Sequence, residues 1–185
     1  MPNFTKRAIM ESFLKLLEEK PVNKITVKDI VEDCGVNRNT FYYHFEDLPS
    51  LIETLLKMIA DELLKDKGSI DSLEECMLTV LKFAMNNKKA MLHLCNSASR
   101  DIYVQYLNIV CRSVIEDYMQ RASADYNVKQ SDLELIIDVF TFEVVGFVLD
   151  WIGKGMKSDA VDMVKRTCCL FEGMIETAFR RSSEN

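Results

Sequence analysis

Apolar positions repeat at helical spacing almost from the start of the chain. Ile9, Phe13, Leu16 and Leu17 recur at i, i+4, i+7 and i+8, one stripe of an amphipathic helix. Lys20-Pro21 closes that helix, because the residue before a proline is pushed out of the α region. Thr26 fits an N-cap, with Asp29 three residues on as the acid of a capping box. Behind it Val27, Ile30, Val31 and Cys34 form a second stripe, and Gly35 ends it where a left-handed backbone is needed. Asn37 then caps a third, short helix, 38–45, in which Phe41 and Phe45 face inward together with Val36.

The same periodicity predicts helices over 48–65, 72–86, 88–95, 100–124, 130–152 and 158–181, about nine in all. Asp47 fits the cap of the fourth, with Pro49 tolerated in its first turn and its end near Lys67-Gly68-Ser69. Helix 130–152 is apolar over most of its circumference and must be covered on more than one side. In the last helix Val161, Val164, Cys168, Phe171 and Ile175 step at +3, +4, +3 and +4. That heptad-like stripe suits a four-helix bundle shared by two subunits.

Composition narrows the picture to an all-α protein. With 48% apolar and 28% charged residues the chain is not disordered, and 6 Gly and 3 Pro among 185 residues are too few for a many-turned β sandwich. Six cysteines without a C-x-x-C pair read as small buried hydrophobes, not as metal ligands or a disulfide framework. The first residues lack the apolar core of a signal peptide. The most apolar stretch, 133–152, carries Glu134, Asp138, Glu143 and Asp150, four acids too costly in hydrocarbon. No membrane partner, cofactor or metal is expected, and the chain reads as cytoplasmic.

Charge is uneven. Seven Lys/Arg against six Asp/Glu lie in residues 1–45, net +1, and sixteen against twenty-three follow, net −7, giving the overall −6. A near-neutral start on an acidic remainder turns the start towards a polyanion, by a modest term. The order short helix, glycine turn, short helix is the outline of a helix-turn-helix, whose second helix lies in the DNA major groove. Its outward positions are Arg38, Asn39, Thr40, Tyr42, Tyr43 and His44, all hydrogen-bond donors and none acidic. There is no Gly-rich phosphate loop, no H-E-x-x-H and no G-x-S-x-G, so no catalytic residue is assigned and no enzyme is expected. The rival is an all-helical protein-interaction module, which has no reason to place that outward set after Gly35.

The run from Thr26 to Phe45 resembles the helix-turn-helix of the TetR family of bacterial transcriptional regulators, with Gly35, Thr40, Tyr42, His44 and Phe45 in the family's most characteristic places. The resemblance implies a three-helix DNA-binding domain, 1–46, and a helical effector-binding and dimerisation domain, 47–185. It implies a homodimer reading a palindromic operator in double-stranded DNA. Most members are repressors released by a small-molecule effector, and some activate; the alternative for this chain is a ligand-independent activator of the same fold. Carried over, Arg38 and Asn39 stand where the family touches base edges; Thr40, Tyr42 and His44 where it holds phosphates; Tyr43 at a variable position. Thr26 and Lys28 suit a phosphate at the start of the preceding helix. One departure is Leu48, where the family often has a backbone-clamping Lys, next to Glu46 and Asp47. The runs Phe41–Phe45 and Gly146–Met156 are similar to a branch of dihydroxyacetone-kinase operon regulators.

The candidate effector pocket draws on His93, Tyr103, Phe140, Glu143, Phe147 and Trp151. Glu143 sits inside an apolar run. It pairs with an arginine such as Arg100 or Arg112, lines a polar cavity, or reaches solvent, and the sequence leaves the three open. His93 reads first as a satisfied core histidine and second as a ligand contact.

Overall fold

The computed structural model describes residues 2–65 and 72–184, with side chains over 4–64 and 72–184. The expected end of the fourth helix at Lys67-Gly68-Ser69 lies outside them. The described residues form ten α-helices and one turn of 3-10 helix, without a strand among them. The helices are α1 (Pro2–Glu19), α2 (Val27–Cys34), α3 (Arg38–His44), α4 (Leu48–Lys65), α5 (Leu73–Asn86), α6 (Lys88–Cys95), α7 (Arg100–Ala122), α8 (Gln130–Gly153), α9 (Ala160–Leu170) and α10 (Met174–Glu184). They pack as two compact units. The first holds α1–α3, α4 as far as Asp61, α6, and α7 as far as Tyr106; the second holds the remainder.

In the first unit α1 packs against α2 and α6, and α2 against α3. Ile9, Phe13 and Leu17 of α1, Ile30 of α2, Phe41 of α3 and Leu51 and Ile52 of α4 are all lost to solvent, each burial contributing about 1.5–3 kcal/mol. The Ser12 hydroxyl donates to the Ile30 carbonyl at 3.1 Å, tying α1 to α2. Where α1 ends, Pro21 has no N–H to offer the Leu17 carbonyl four residues back. His93 of α6 takes that place, its Nδ1 lying 2.6 Å from the Leu17 oxygen. A carbonyl only accepts, so Nδ1 carries the proton.

In the second unit α5 packs on α9, and α8 on α10. The N-terminus of α8 is capped from afar: the Ser182 hydroxyl accepts from the Lys129 N–H at 3.1 Å and donates to Asp132 at 2.6 Å. Arg112 of α7 pairs with Asp138 of α8.

The expected single last helix is two. Phe171-Glu172-Gly173 interrupts it, with Gly173 left-handed at φ +76°. The stripe expected to meet a second subunit is thereby largely turned inward. Val164 and Ile175 are buried, Val161 and Cys168 are half-buried, and of the five only Phe171 is exposed. The apolar circumference of α8 is real, but one side of it is uncovered. Ile137, Phe140, Val144 and Val148 are buried, while Leu135 is 63%, Val139 53% and Phe142 65% exposed. Among the described residues no helix is long and apolar enough to cross a membrane. Cys76, Cys95 and Cys111 are buried as expected of small hydrophobes, Cys34 and Cys168 partly so, and Cys169 is exposed.

Candidate nucleic-acid interface

Two caps and one glycine set the geometry of residues 26–45. The Thr26 hydroxyl accepts from the Asp29 N–H at 3.2 Å, and the Thr26 N–H donates to the Asp29 carboxylate at 2.8 Å, the reciprocal capping box read from the sequence. At the far end of α2, Gly35 is left-handed at φ +70°, and the N–H groups of Gly35 and Val36 both reach the Val31 carbonyl. Asn37 then caps α3, its side-chain oxygen accepting from the Thr40 N–H at 2.8 Å. Three local devices, each legible in the chain, thus fix where α3 starts and which way it turns.

Asp29 shows how firmly the first cap holds. Hydrogen bonds from the Thr26 backbone, then the Thr26 hydroxyl and Lys20, lower its carboxyl to about 2. A carboxyl lowered on folding contributes stability above its ordinary value near 3.8, and that contribution is lost as pH falls towards 2. Thr26→Ala removes the acceptor for the Asp29 N–H. It should destabilise the fold by about 1 kcal/mol, read by chemical denaturation at neutral pH; an unchanged midpoint would mean the cap is idle.

α3 buries one face and exposes the other. Phe41 and Phe45 are inside, their rings 5.7 Å apart, while Tyr42 is 57% and Tyr43 80% exposed. Arg38 and Asn39 are exposed at the start of the helix, and Thr40 and His44 are half-covered. Arg38 makes no ion pair among the described residues. Of the seven residues of α3 only Phe41 is buried, and the six outward ones spread around the rest of its circumference. The Thr40 hydroxyl already donates to Asn37 at 3.1 Å, so it meets a phosphate only by giving up its cap partner. The Thr26 hydroxyl is engaged with Asp29 in the same way at 2.8 Å. Lys28 lies 3.7 Å from Glu32 in an exposed pair that a phosphate can outcompete.

The structure adds one cation that sequence reasoning missed. Lys6 of α1 lies over the Phe45 ring, 5.4 Å from its centroid, beside the end of α3. Its only signal in the chain was the basic pair Lys6-Arg7, too far in sequence from Phe45 for periodicity to connect. Asp47 caps α4 as expected, its carboxylate accepting from the Ser50 N–H at 2.8 Å, with Leu48 half-buried in the first turn.

Of the six residues named for an effector pocket, two belong to the first unit and four to the second. His93 and Tyr103 belong to the first unit, where Tyr103 is buried and His93 holds α1. In the second unit Trp151 is buried and donates to the Ser158 carbonyl at 3.1 Å. Phe140 and Glu143 line one cavity of about 370 Å³ in the second unit. Glu143 lines that cavity, and Arg112 pairs with Asp138.

Known proteins share this pattern. A family profile described as "Bacterial regulatory proteins, tetR family" matches residues 9–53, and one described as "Transcriptional regulator C-terminal region" matches residues 71–173. The HTH-type dhaKLM operon transcriptional activator DhaS of Lactococcus lactis is 22% identical over 133 residues, 70% of this chain and 68% of that protein. EthR of Mycobacterium tuberculosis is 33% identical over 55 residues, 30% of this chain and 26% of that regulator. YxbF of Bacillus subtilis, also an HTH-type transcriptional regulator, is 33% identical over 57 residues, 31% of this chain and 15% of its own length. The match thus spans well under two thirds of EthR and of YxbF. The solved structure of the dihydroxyacetone kinase operon activator DhaS superposes with a TM-score of 0.75, covering 94% of this chain and 97% of that one at 16% identity, a shared fold.

Proposed function

The chain belongs to the TetR family of bacterial regulatory proteins, and from that premise we propose that it acts in the cytoplasm as a homodimer on a palindromic operator in double-stranded DNA. It is a TetR-type transcriptional regulator and not an enzyme. Residues 1–46 carry the DNA contacts and residues 47–185 the effector binding and dimerisation. One observation carries the reading: the outward face of α3 offers only donors and aromatics, with Arg38 unpaired at its start. Arg38 and Asn39 read base edges, and Tyr42, His44 and Thr40 hold phosphates while Tyr43 reaches a base or thymine methyl. Thr26, Lys28 and Lys6 add backbone contacts that make the affinity salt-dependent.

The dimer is supported by the side of α8 that its own chain leaves bare, Leu135, Val139 and Phe142, and by Leu170, Phe171 and Met174, exposed around the break between α9 and α10. We read the regulator as a repressor released by a small-molecule effector. Its likeness to DhaS, a transcriptional activator, favours activation as the second reading.

Duplexes from the region upstream of its own gene test the proposal. Arg38→Ala should weaken binding to the preferred duplex by about 1–3 kcal/mol, with a much smaller change on random duplex of equal length. Fluorescence anisotropy at fixed salt reads both. An equal loss on the two duplexes would remove Arg38 from base reading.

A further inference from the structure

The lining of the cavity in the second unit has an unbalanced charge. Among the described residues Glu74 of α5, Glu143 of α8, and Glu172 and Glu176 from the turn into α10 all line it, against a single cation, Lys165 of α9. None of the five takes part in an ion pair among the described residues. Three aromatic residues, Tyr118, Phe140 and Phe171, complete the lining. At about 370 Å³ the space lies within the range of small-ligand sites.

Burial is the main influence on the groups around the cavity, and nearby carboxylates add to it at Tyr118 and Cys168. Burial, and after it the charge on Glu176, pushes the Tyr118 hydroxyl up. Burial, followed by the charges of Glu74 and Glu143, does the same to the Cys168 thiol. Glu143 itself is half-buried in an apolar run and its carboxyl is pushed up by burial. Burial disfavours the ionised form of Glu143, and a cation brought against it restores the charge. Aromatic faces beside carboxylates attract a cation by two independent terms, the ring quadrupole and the Coulomb field.

We propose that this cavity binds a small organic cation, an ammonium group carrying an apolar or aromatic substituent, with the charge against Glu143 and the substituent against Phe140 and Phe171. The inference deepens the effector half of the proposed function by naming the chemical class of the ligand. Lys165 opposes it, which sets an upper limit on affinity and supplies the sharpest control.

Calorimetric titration of the full-length protein with benzyltrimethylammonium, benzyl alcohol and benzoate tests it. The cation should bind roughly tenfold tighter than the neutral alcohol, and benzoate weakest of the three. Glu143→Gln should weaken the cation by about tenfold and leave the alcohol unchanged. Lys165→Gln, an exposed change that spares the core, should tighten the cation, the opposite sign. Equal binding of the three probes, or two variants that move the cation in the same direction, overturns the inference. DNA binding without any probe is measured on the same samples. A protein that prefers the cation but ignores DNA sinks the proposed function alone, and one that binds DNA with no charge preference in the cavity sinks this inference alone.

Discussion

Phe41→Ala should lower folding stability by about 3–5 kcal/mol and abolish DNA binding with it. The phenyl ring is fully buried, 5.5 Å edge-on from the Tyr42 ring and 5.7 Å from that of Phe45, and α3 packs on α2 through this face. Seven residues are too few to stay helical alone, since isolated helices below about 12–15 residues are marginal in water. Two aromatic anchors therefore hold the whole reading surface, and removing the larger share of one leaves a cavity that the caps at Asn37 and Gly35 cannot close. Urea denaturation should show the loss, and amide exchange should show it earliest in residues 38–44. A loss below about 1 kcal/mol would mean that α3 is held mainly by its caps.

Phe142→Glu should turn the proposed dimer into monomers. Leu135, Val139 and Phe142 step by four and three along α8, so they form one stripe, and that stripe is more than half exposed. Three large apolar side chains bare on one helix face fit an interface better than a solvent face. In a two-fold interface the same patch serves both subunits, so each substitution acts twice. At about 2 kcal/mol per anchor this is about 4 kcal/mol, roughly a thousandfold in the dimer dissociation constant. The new carboxylate also stands beside Glu143 on an acidic chain, which adds repulsion across the two-fold. Sedimentation velocity at micromolar protein should show the shift, and binding to a two-half-site duplex should fall with it. A variant that stays dimeric would move the interface to Leu170, Phe171 and Met174, the exposed apolar residues around the break between α9 and α10.

The two anchors differ in how they could be read from the chain. Phe41 and Phe45 are four apart on a helix bounded by Asn37 and Gly35, and every one of those signals acts over a few residues. Phe142 carries no such signal. Helix α8 is apolar nearly all round, and periodicity alone does not tell which side a neighbour covers. The stripe Val161, Val164, Cys168, Phe171 and Ile175 meets the same limit. A heptad spacing says that a helix buries one face, not that another subunit buries it, and here α9 packs on α5 of its own chain. The break at Gly173 then carries α10 off the register that a continuous helix would have kept.

The sequence by itself determined the caps, the glycine turn, the outward donors of α3 and the all-α class, because each depends on contacts between residues within a turn or two of one another. Only the tertiary structure decided that His93 supplies the hydrogen bond Pro21 withholds from Leu17, that Lys6 stands beside Phe45, and that four carboxylates meet Phe140 in one cavity. Those pairings join side chains tens of residues apart. Their free energy exists only once helices have chosen their neighbours, and no local spacing encodes that choice.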